Sequence, residues 1–473
     1  KSCCVERDYV RKVYDHFMSL DDCRENDEAQ KIDVDYINHW EKLHDSCVSH
    51  KRPEDLVVCY LAGPEPHNDF KELTNLGILS QNIWAFESDL GTYKTALTSY
   101  DTGVFPQPKI IKLPIESFFM QTPKKFDIVY IDACGTIPSH QHALRCVTSL
   151  CKHHRLHSPG VIITNFSIPN VELEKDRKEY CDLISQYFLF KKYPNAGIVF
   201  DNGEIVSREK TAIKDEINSS FSLQYGEYIS SLLRDIGSII VPVQRFANSA
   251  FFALMNEGTT RKVGDLTIAH INEMRNNSLS RYFAVIKFLD QHSLLCDKTK
   301  RLITELHGYD PYPIDLCQSF LTLTRFKSNG SKLKKDIQEI KEYFEKNDSM
   351  YQFLDKPQST LFFDLIINQI AYPMHYNAEA IRRYSYTAKK NEMYLDITVL
   401  DECRYIYDWL PAVHQVQSAF SNYSWQYVFR FALDGLVKNR LNYNNEFFFQ
   451  GSVISNDIEG FSNKVIKPRE KIF

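Results

Sequence analysis

Residues 56–69 read Leu56-Val57-Val58-Cys59-Tyr60-Leu61-Ala62-Gly63-Pro64-Glu65-Pro66-His67-Asn68-Asp69. A short, continuous apolar run gives way to turn-forming residues and then to a helix start. That is how a buried parallel strand enters a βα unit. The pattern repeats downstream. Ile83-Trp84-Ala85-Phe86, Lys109-Ile110-Ile111-Lys112-Leu113, Phe126-Asp127-Ile128-Val129-Tyr130-Ile131 and Val161-Ile162-Ile163-Thr164-Asn165 are four more strands, separated by polar helical stretches. Apolar strands alternating with helices predict an α/β fold with a buried parallel sheet. Residues 171–195 and 211–235 read as helices. Ser238-Ile239-Ile240-Val241-Pro242-Val243 and Ala250-Phe251-Phe252-Ala253-Leu254-Met255 read as two further strands. The short link between them forbids a parallel crossover, so this pair is expected to close the sheet as an antiparallel hairpin.

The flanks differ in period. Val10, Val13, Tyr14 and Phe17 form a one-face helical stripe, and a second helix runs from about Val34 to Val48. Residues 1–50 are therefore expected to be an N-terminal helical cap, 51–257 the sheet domain, and 258–473 a mainly helical domain for substrate or partner recognition. Within the last, Tyr384-Ser385-Tyr386-Thr387 and Met393-Tyr394-Leu395-Asp396-Ile397-Thr398-Val399 read as a hairpin, and 332–346 as a solvated Lys/Glu helix. No run approaches the ~18 apolar residues of a membrane span. The net charge of −5 excludes a generally basic, polyanion-seeking body. Twelve cysteines without a regular framework suggest reduced thiols in a cytoplasmic protein. The chain opens Lys1-Ser2-Cys3-Cys4 without an initiator Met, so the lack of a signal peptide carries little weight.

Chemistry is expected at the carboxyl ends of the strands, where open α/β sheets bind ligands. Gly63 lets backbone approach a ligand. The G-x-G-x-x-G fingerprint is absent and Pro64 and Pro66 lack N–H groups, which argues against a pyrophosphate cradle and a nicotinamide enzyme. The second strand ends in Phe86-Glu87-Ser88-Asp89, where a carboxylate can accept from both ribose hydroxyls of an adenosine. After the third strand, Ile115 can lie on an adenine face. Glu116 can accept an adenine amino group, or it is simply a first-turn acid favoured by the helix dipole. The fourth strand ends in Asp132-Ala133-Cys134-Gly135-Thr136. Asp132 can orient or deprotonate an amino group, or cap the next helix. Cys134 is either a ring-attacking thiolate or an inert small hydrophobe. His140, His142, Cys146, Cys151, His153, His154 and His157 crowd one stretch, with His142 and Cys146 spaced i, i+4. Without a paired C-x-x-C the expectation is a surface helix and no metal.

The series Leu61-Ala62-Gly63-Pro64-Glu65-Pro66, Phe86-Glu87-Ser88-Asp89 and Asp132-Ala133-Cys134-Gly135-Thr136 resembles motifs I, II and IV of class I S-adenosylmethionine (SAM)-dependent methyltransferases. The resemblance covers somewhat under half the chain. It implies a Rossmann-like seven-stranded sheet of five parallel strands plus an antiparallel closing hairpin, with SAM as cofactor. It places Gly63 near the methionine part of SAM, Glu87 on the ribose, Glu116 near the adenine and Asp132 facing the transferred methyl. Glu65 and Ser88 fall in the same cofactor loops, and Cys134, Gly135 and Asn165 on the substrate side. Asp132-Ala133-Cys134-Gly135 and Thr164-Asn165-Phe166-Ser167 are also similar to the fourth- and fifth-strand motifs of tRNA guanine dimethyltransferases, Asp-Pro-Phe/Tyr-Gly and Thr-Asp. This similarity implies a base amino group in nucleic acid, RNA or DNA, as acceptor. The interleaved Arg382-Arg383-Tyr384-Ser385-Tyr386 with Lys389-Lys390 would suit stacked bases and phosphates, or an ordinary amphipathic hairpin. Partners through the C-terminal domain would be another protein or a second copy. The alternative class is a non-catalytic SAM- or adenosine-binding module in a larger complex.

Overall fold

The computed structural model of the chain describes residues 3–99, 105–141, 143–193, 196–201, 204–249, 265–273, 278–307, 316–327, 368–388, 390–412, 421–439 and 465–472, with a few isolated residues between. Three helices, α1 (Tyr9–Met18), α2 (Arg24–Ala29) and α3 (Val34–Cys47), precede the sheet. Strands β1 (Val58–Leu61), β2 (Ile83–Phe86), β3 (Lys109–Ile111), β4 (Phe126–Asp132) and β5 (Leu156–Ser167) alternate with α4 (His67–Asn75), α5 (Leu90–Thr98), α6 (Ile115–Gln121) and α7 (Ala143–Lys152). All five pair in parallel, in the order β3-β2-β1-β4-β5.

The chain then leaves the sheet. Helices α8 (Glu174–Lys192), α9 (Arg208–Ser219), α10 (Phe221–Asp235) and α11 (Val241–Ala247) follow, with a small hairpin of β6 (Val199–Asp201) and β7 (Glu204–Val206) between the first two. Next come α12 (Ile268–Glu273), α13 (Ser278–Gln291), α14 (Asp297–His307) and α15 (Leu316–Lys327). It returns as β8 (His375–Tyr376), β9 (Arg382–Ala388) and β10 (Asn391–Asp401). Helices α16 (Arg404–Tyr407) and α17 (Tyr423–Lys438) and the short β11 (Glu470–Lys471) finish the described chain. Strand β10 lies antiparallel against β5, and β9 antiparallel against β10. The sheet is thus five parallel strands closed by an antiparallel hairpin, extended by β8 and β11. This is the class I methyltransferase topology, and most of the other described residues of the C-terminal half are helical.

The closing hairpin is not the one expected at 238–255. Residues 236–240 form a single π-helical turn leading into α11, and all of 236–243 is buried. A short apolar run reads the same whether it is a buried strand or a buried helix. Pro242 lies in a run that is helical without a break from α10 through the π turn into α11; the π turn accommodates its missing N–H, and the Gly237 carbonyl accepts the Met374 N–H at 3.0 Å. The second expected strand, 250–255, lies outside the described residues, as does nearly all of 332–346. The hairpin read at 384–399 is real, and it is the one that closes the sheet. The sheet therefore crosses the boundary expected at residue 257.

The N-terminal helices pack on the end of the chain. The expected stripe of α1 faces inward: Val10, Val13 and Phe17 are buried, and Phe17 meets Phe431 of α17 edge-on at 5.5 Å. The Tyr9 hydroxyl donates to Asp434. A Cβ on Gly435 would stand 2.9 Å from both the Tyr9 ring and Val5 Cγ1, so only glycine lets α17 approach this closely. Among the described residues, no helix is long and apolar enough to cross a membrane.

A fragment ending at residue 257 would leave the backbone of β5 as an unpaired edge. It is expected to be insoluble or to lack a cooperative melt, and co-expression with residues 368–473 is expected to recover soluble protein. A monomeric 1–257 fragment with a sharp thermal transition would contradict the assignment of β10 as an integral strand.

Candidate functional site

Register brings three loops to one rim. Tyr60 pairs with both Ala85 and Tyr130, and Leu61 with Phe86. Gly63, Glu87 and Asp132 therefore leave neighbouring strands side by side, at the carboxyl edge. Gly63 has φ +58°, a left-handed conformation that side chains resist, and nothing lies within 4 Å of where a Cβ would be. The buried Tyr60 holds the far side of this loop by donating to the Pro66 carbonyl at 2.7 Å. Glu65 is exposed and accepts from Asn68 Nδ2 at 3.0 Å. Glu87 Oε1 accepts the Asp89 N–H at 2.7 Å, and Asp89 in turn caps α5 through the Thr92 N–H. Ser88 stands exposed between them.

Asp132 is the centre of a polar cluster. Its Oδ1 accepts from Cys134 Sγ at 2.9 Å and Asn165 Nδ2 at 3.0 Å, and its Oδ2 from the Tyr130 hydroxyl at 3.2 Å. Asn165 Nδ2 also donates to the hydroxyl of Tyr386, on β9, at 2.6 Å. The other amide atom, Asn165 Oδ1, has no partner, although the residue is only 2% exposed. A buried acceptor without a donor costs roughly 1–3 kcal/mol, so it marks a place where a donor is to be supplied. Asp69, in the first turn of α4, is pushed up from the ordinary carboxylate range, by burial first and then by the charge of Asp132. Burial also raises the Tyr130 and Tyr386 hydroxyls, and Asp132 adds to both shifts.

The loop after β4 is held from outside the sheet. Cys134 is exposed and sits at φ +49°, a strained conformation for a non-glycine residue. The Gly135 carbonyl accepts the Ser167 N–H at 2.9 Å. Tyr180 of α8 donates to Thr136 Oγ1 at 3.1 Å, and the Ile137 N–H donates to Tyr225 of α10 at 2.6 Å. Glu305 of α14 accepts the N–H groups of Ser139 (2.6 Å) and Leu144 (2.9 Å), one on each carboxylate oxygen.

Other expected site residues have contacts of their own. Glu116 turns toward α7, where Cys146 Sγ lies 3.7 Å from its Oε2, and Ile115 is core. The His/Cys stretch disperses: Cys146 and Cys151 are buried on α7, while His154 pairs with Glu402 at 2.9 Å; His142 lies outside the described residues. In the run 382–386, Arg382 is exposed and Tyr384 and Tyr386 are half-buried on one strand face, while Arg383 and Ser385 point inward. Strand alternation buries Arg383 against Glu227 at 2.5 Å and sends Tyr386 to Asn165, and Lys389 lies outside the described residues. Asp69, Tyr130 and Tyr386 were not expected at the site. Asp69 reads as an ordinary first-turn acid, and Tyr386 reaches the rim only through a pairing that no local pattern encodes.

No family model matches the chain, and no curated protein matches it. Solved structures similar to parts of it include methyltransferases. A putative methylase from Haemophilus influenzae is 17% identical, with 25% of this chain and 74% of that one covered, at a TM-score of 0.20. Magnesium protoporphyrin IX methyltransferase from Synechocystis PCC 6803 is 14% identical over 36% and 75%, at 0.20. Geranyl diphosphate C-methyltransferase from Streptomyces coelicolor A3(2) is 9% identical over 63% and 93%, at 0.19. At these scores the fold assignment rests on the chain's own strand order and register.

Burial pushes Glu305 up to about 7, against the opposing pull of the two N–H donors, Arg145 and Arg301. A carboxyl group raised in the folded state stabilises the fold while protonated. That contribution fades as pH climbs from the ordinary carboxylate range through about 7. Stability is expected to fall across this window in the wild type. Glu305→Gln is expected to flatten the slope while lowering overall stability by about 1–3 kcal/mol, through the N–H group it leaves unmatched. Denaturant midpoints at several pH values check this, and equal slopes in the two proteins would remove Glu305 as the titrating group.

Proposed function

We propose that the chain is a SAM-dependent methyltransferase whose acceptor carries an N–H group and enters at the carboxyl ends of β4, β5 and β9. The observation that carries this reading is the buried, unpartnered Oδ1 of Asn165 beside Asp132. Both belong to a rim that also presents an open Gly63 loop and Glu87. These residues fit the cofactor: the space at Gly63 admits a ligand against backbone, and the Glu87 carboxylate keeps an oxygen beyond the one used by Asp89 for ribose hydroxyls. When bound, SAM supplies an electrophilic methyl group on a cationic sulfonium.

The chain's own residues do the rest. Asn165 Oδ1 accepts the acceptor's N–H and so fixes its nitrogen. Asp132 already accepts three hydrogen bonds, and its part is orientation. Asp69, whose carboxyl is raised by burial first and then by the charge of Asp132, is the group that takes up the proton. Tyr386 holds the Asn165 amide in register. Cys134 and Gly135 border the acceptor on the loop after β4, and Glu65 and Ser88 stand on the outer edge of the cofactor loops. Glu116, engaged by Cys146, is given no part. A base amino group in RNA or DNA is an acceptor of this chemistry, as is a smaller amine.

A specific feature favours a second reading. Pro64 and Pro66 leave the Gly63 loop short of N–H donors, which suits a module that binds an adenosine ligand in a larger assembly without transferring its methyl.

Labelled-methyl assays on RNA, DNA and small amines separate the two. Transfer is expected on at least one acceptor class and should fall ~100-fold or more in Asn165→Leu and Asp132→Asn. Binding of SAM without transfer to any acceptor would favour the module. Calorimetry tests the cofactor half independently: Glu87→Ala is expected to weaken SAM ~10-fold or more, the loss of a charge-assisted hydrogen bond. Unchanged affinity in the folded variant removes Glu87 from the site.

A further inference from the structure

Strand β10 runs antiparallel to β5, and Leu400 pairs with Gly160, so Asp401 lies at the rim opposite the candidate site. There Cys4, Asp401 and Cys403 converge. Their ligating atoms all lie within 4.8 Å of one another, and all three residues are buried. They come from chain segments almost four hundred residues apart. Asp401 is 1% exposed and accepts four hydrogen bonds, all from neutral donors. These are the Cys4 N–H (2.9 Å), the Tyr405 hydroxyl (2.8 Å), the Ser158 hydroxyl (2.8 Å) and the Cys403 N–H (2.9 Å). Buried charges in proteins are paired with opposite charge or coordinate metal ions. A carboxylate enclosed with two thiols and only neutral donors calls for the second.

We propose that Cys4, Asp401 and Cys403 hold a structural zinc-class divalent ion that pins the N-terminal segment to the end of the closing hairpin. A tetrahedral zinc with Zn–S bonds of ~2.3 Å sets its ligand atoms roughly 3.8 Å apart. Side chains already within 4.8 Å reach that spacing by shifts of about 1 Å. Binding forms two metal–sulfur bonds and one metal–oxygen bond and releases two thiol protons to solvent. Tyr405 can free the oxygen. Its hydroxyl lies 2.8 Å from Asp401 Oδ2 and 3.5 Å from Cys403 Sγ, so turning the O–H to sulfur opens a lone pair on Oδ2 and gives the thiolate a hydrogen bond. Cys3 Sγ and His44 Nε2, 3.8 Å apart, are both taken up by the Val5 carbonyl, at 3.1 and 3.0 Å, and are not counted among the ligands. The site uses none of the His140–His157 stretch.

The test is metal content of the full chain expressed with added zinc, followed by titration of chelator-treated protein with Co²⁺. One ion per chain is expected, with the visible bands of tetrahedral cobalt and a sulfur-to-cobalt charge-transfer band. Those bands should be lost in Cys4→Ser and Cys403→Ser and kept in Cys296→Ser, and the metal should raise the wild-type melting temperature. A wild-type protein that binds neither metal overturns the proposal, even where a serine variant fails to fold. So do bands that survive both substitutions, or a Cys4–Cys403 disulfide found in metal-free protein.

Discussion

The antiparallel ladder between β5 and β10 supports more of this molecule than any other pairing. It runs from Ser167–Met393 to Gly160–Leu400 without interruption. Without it β5 would be an exposed edge, the kind of unpaired backbone that invites aggregation. One end of the ladder carries β9 into place, and with it Tyr386, whose hydroxyl meets Asn165. The other end delivers Asp401 and Cys403 to the N-terminal segment. More than two hundred residues separate Asn165 from its partner Leu395. Closing that loop costs only a few kcal/mol more than closing a short hairpin, because the entropy grows with the logarithm of length. The buried apolar strand repays it.

That same long closure explains what could be read from the chain beforehand. Strands β1 to β5 and the helices between them were legible because each is announced by a local change of period. The position of Gly63, Glu87 and Asp132 at one rim was legible because a strand-end loop belongs to its own strand. The hairpin at 384–399 was visible as a hairpin, but its place in the sheet was not, since nothing local says which edge it will join. The competing run at 238–243 was nearer in sequence and equally apolar, and only packing decides that it is helical. Tyr386 and the partnerless Asn165 Oδ1 follow from that pairing and were illegible for the same reason. Glu116 stands beside β3 as its strand-end position implies, and its contact with Cys146 on the neighbouring helix is one that no local pattern encodes.

The helices inserted between β5 and the closing hairpin have a structural task at the site. Cys134 occupies a strained left-handed conformation, which persists only where the surroundings over-determine it. Those surroundings are Tyr180, Tyr225 and Glu305, one from each of α8, α10 and α14. The loop that would face an acceptor is thus set by side chains outside the sheet. Changes in the inserted helices can move that loop while leaving Gly63 and Glu87, on β1 and β2, where they are. The division follows from topology: the β1 and β2 loops are fixed by short βα connections, whereas the loop after β4 is braced by elements that enter the chain after β5. In the proposed function, cofactor geometry and acceptor geometry would therefore rest on different parts of the sequence. Of these three helices, α14 is the one whose brace depends on protonation, because a single buried carboxyl group holds both amides that flank the loop's exit into α7.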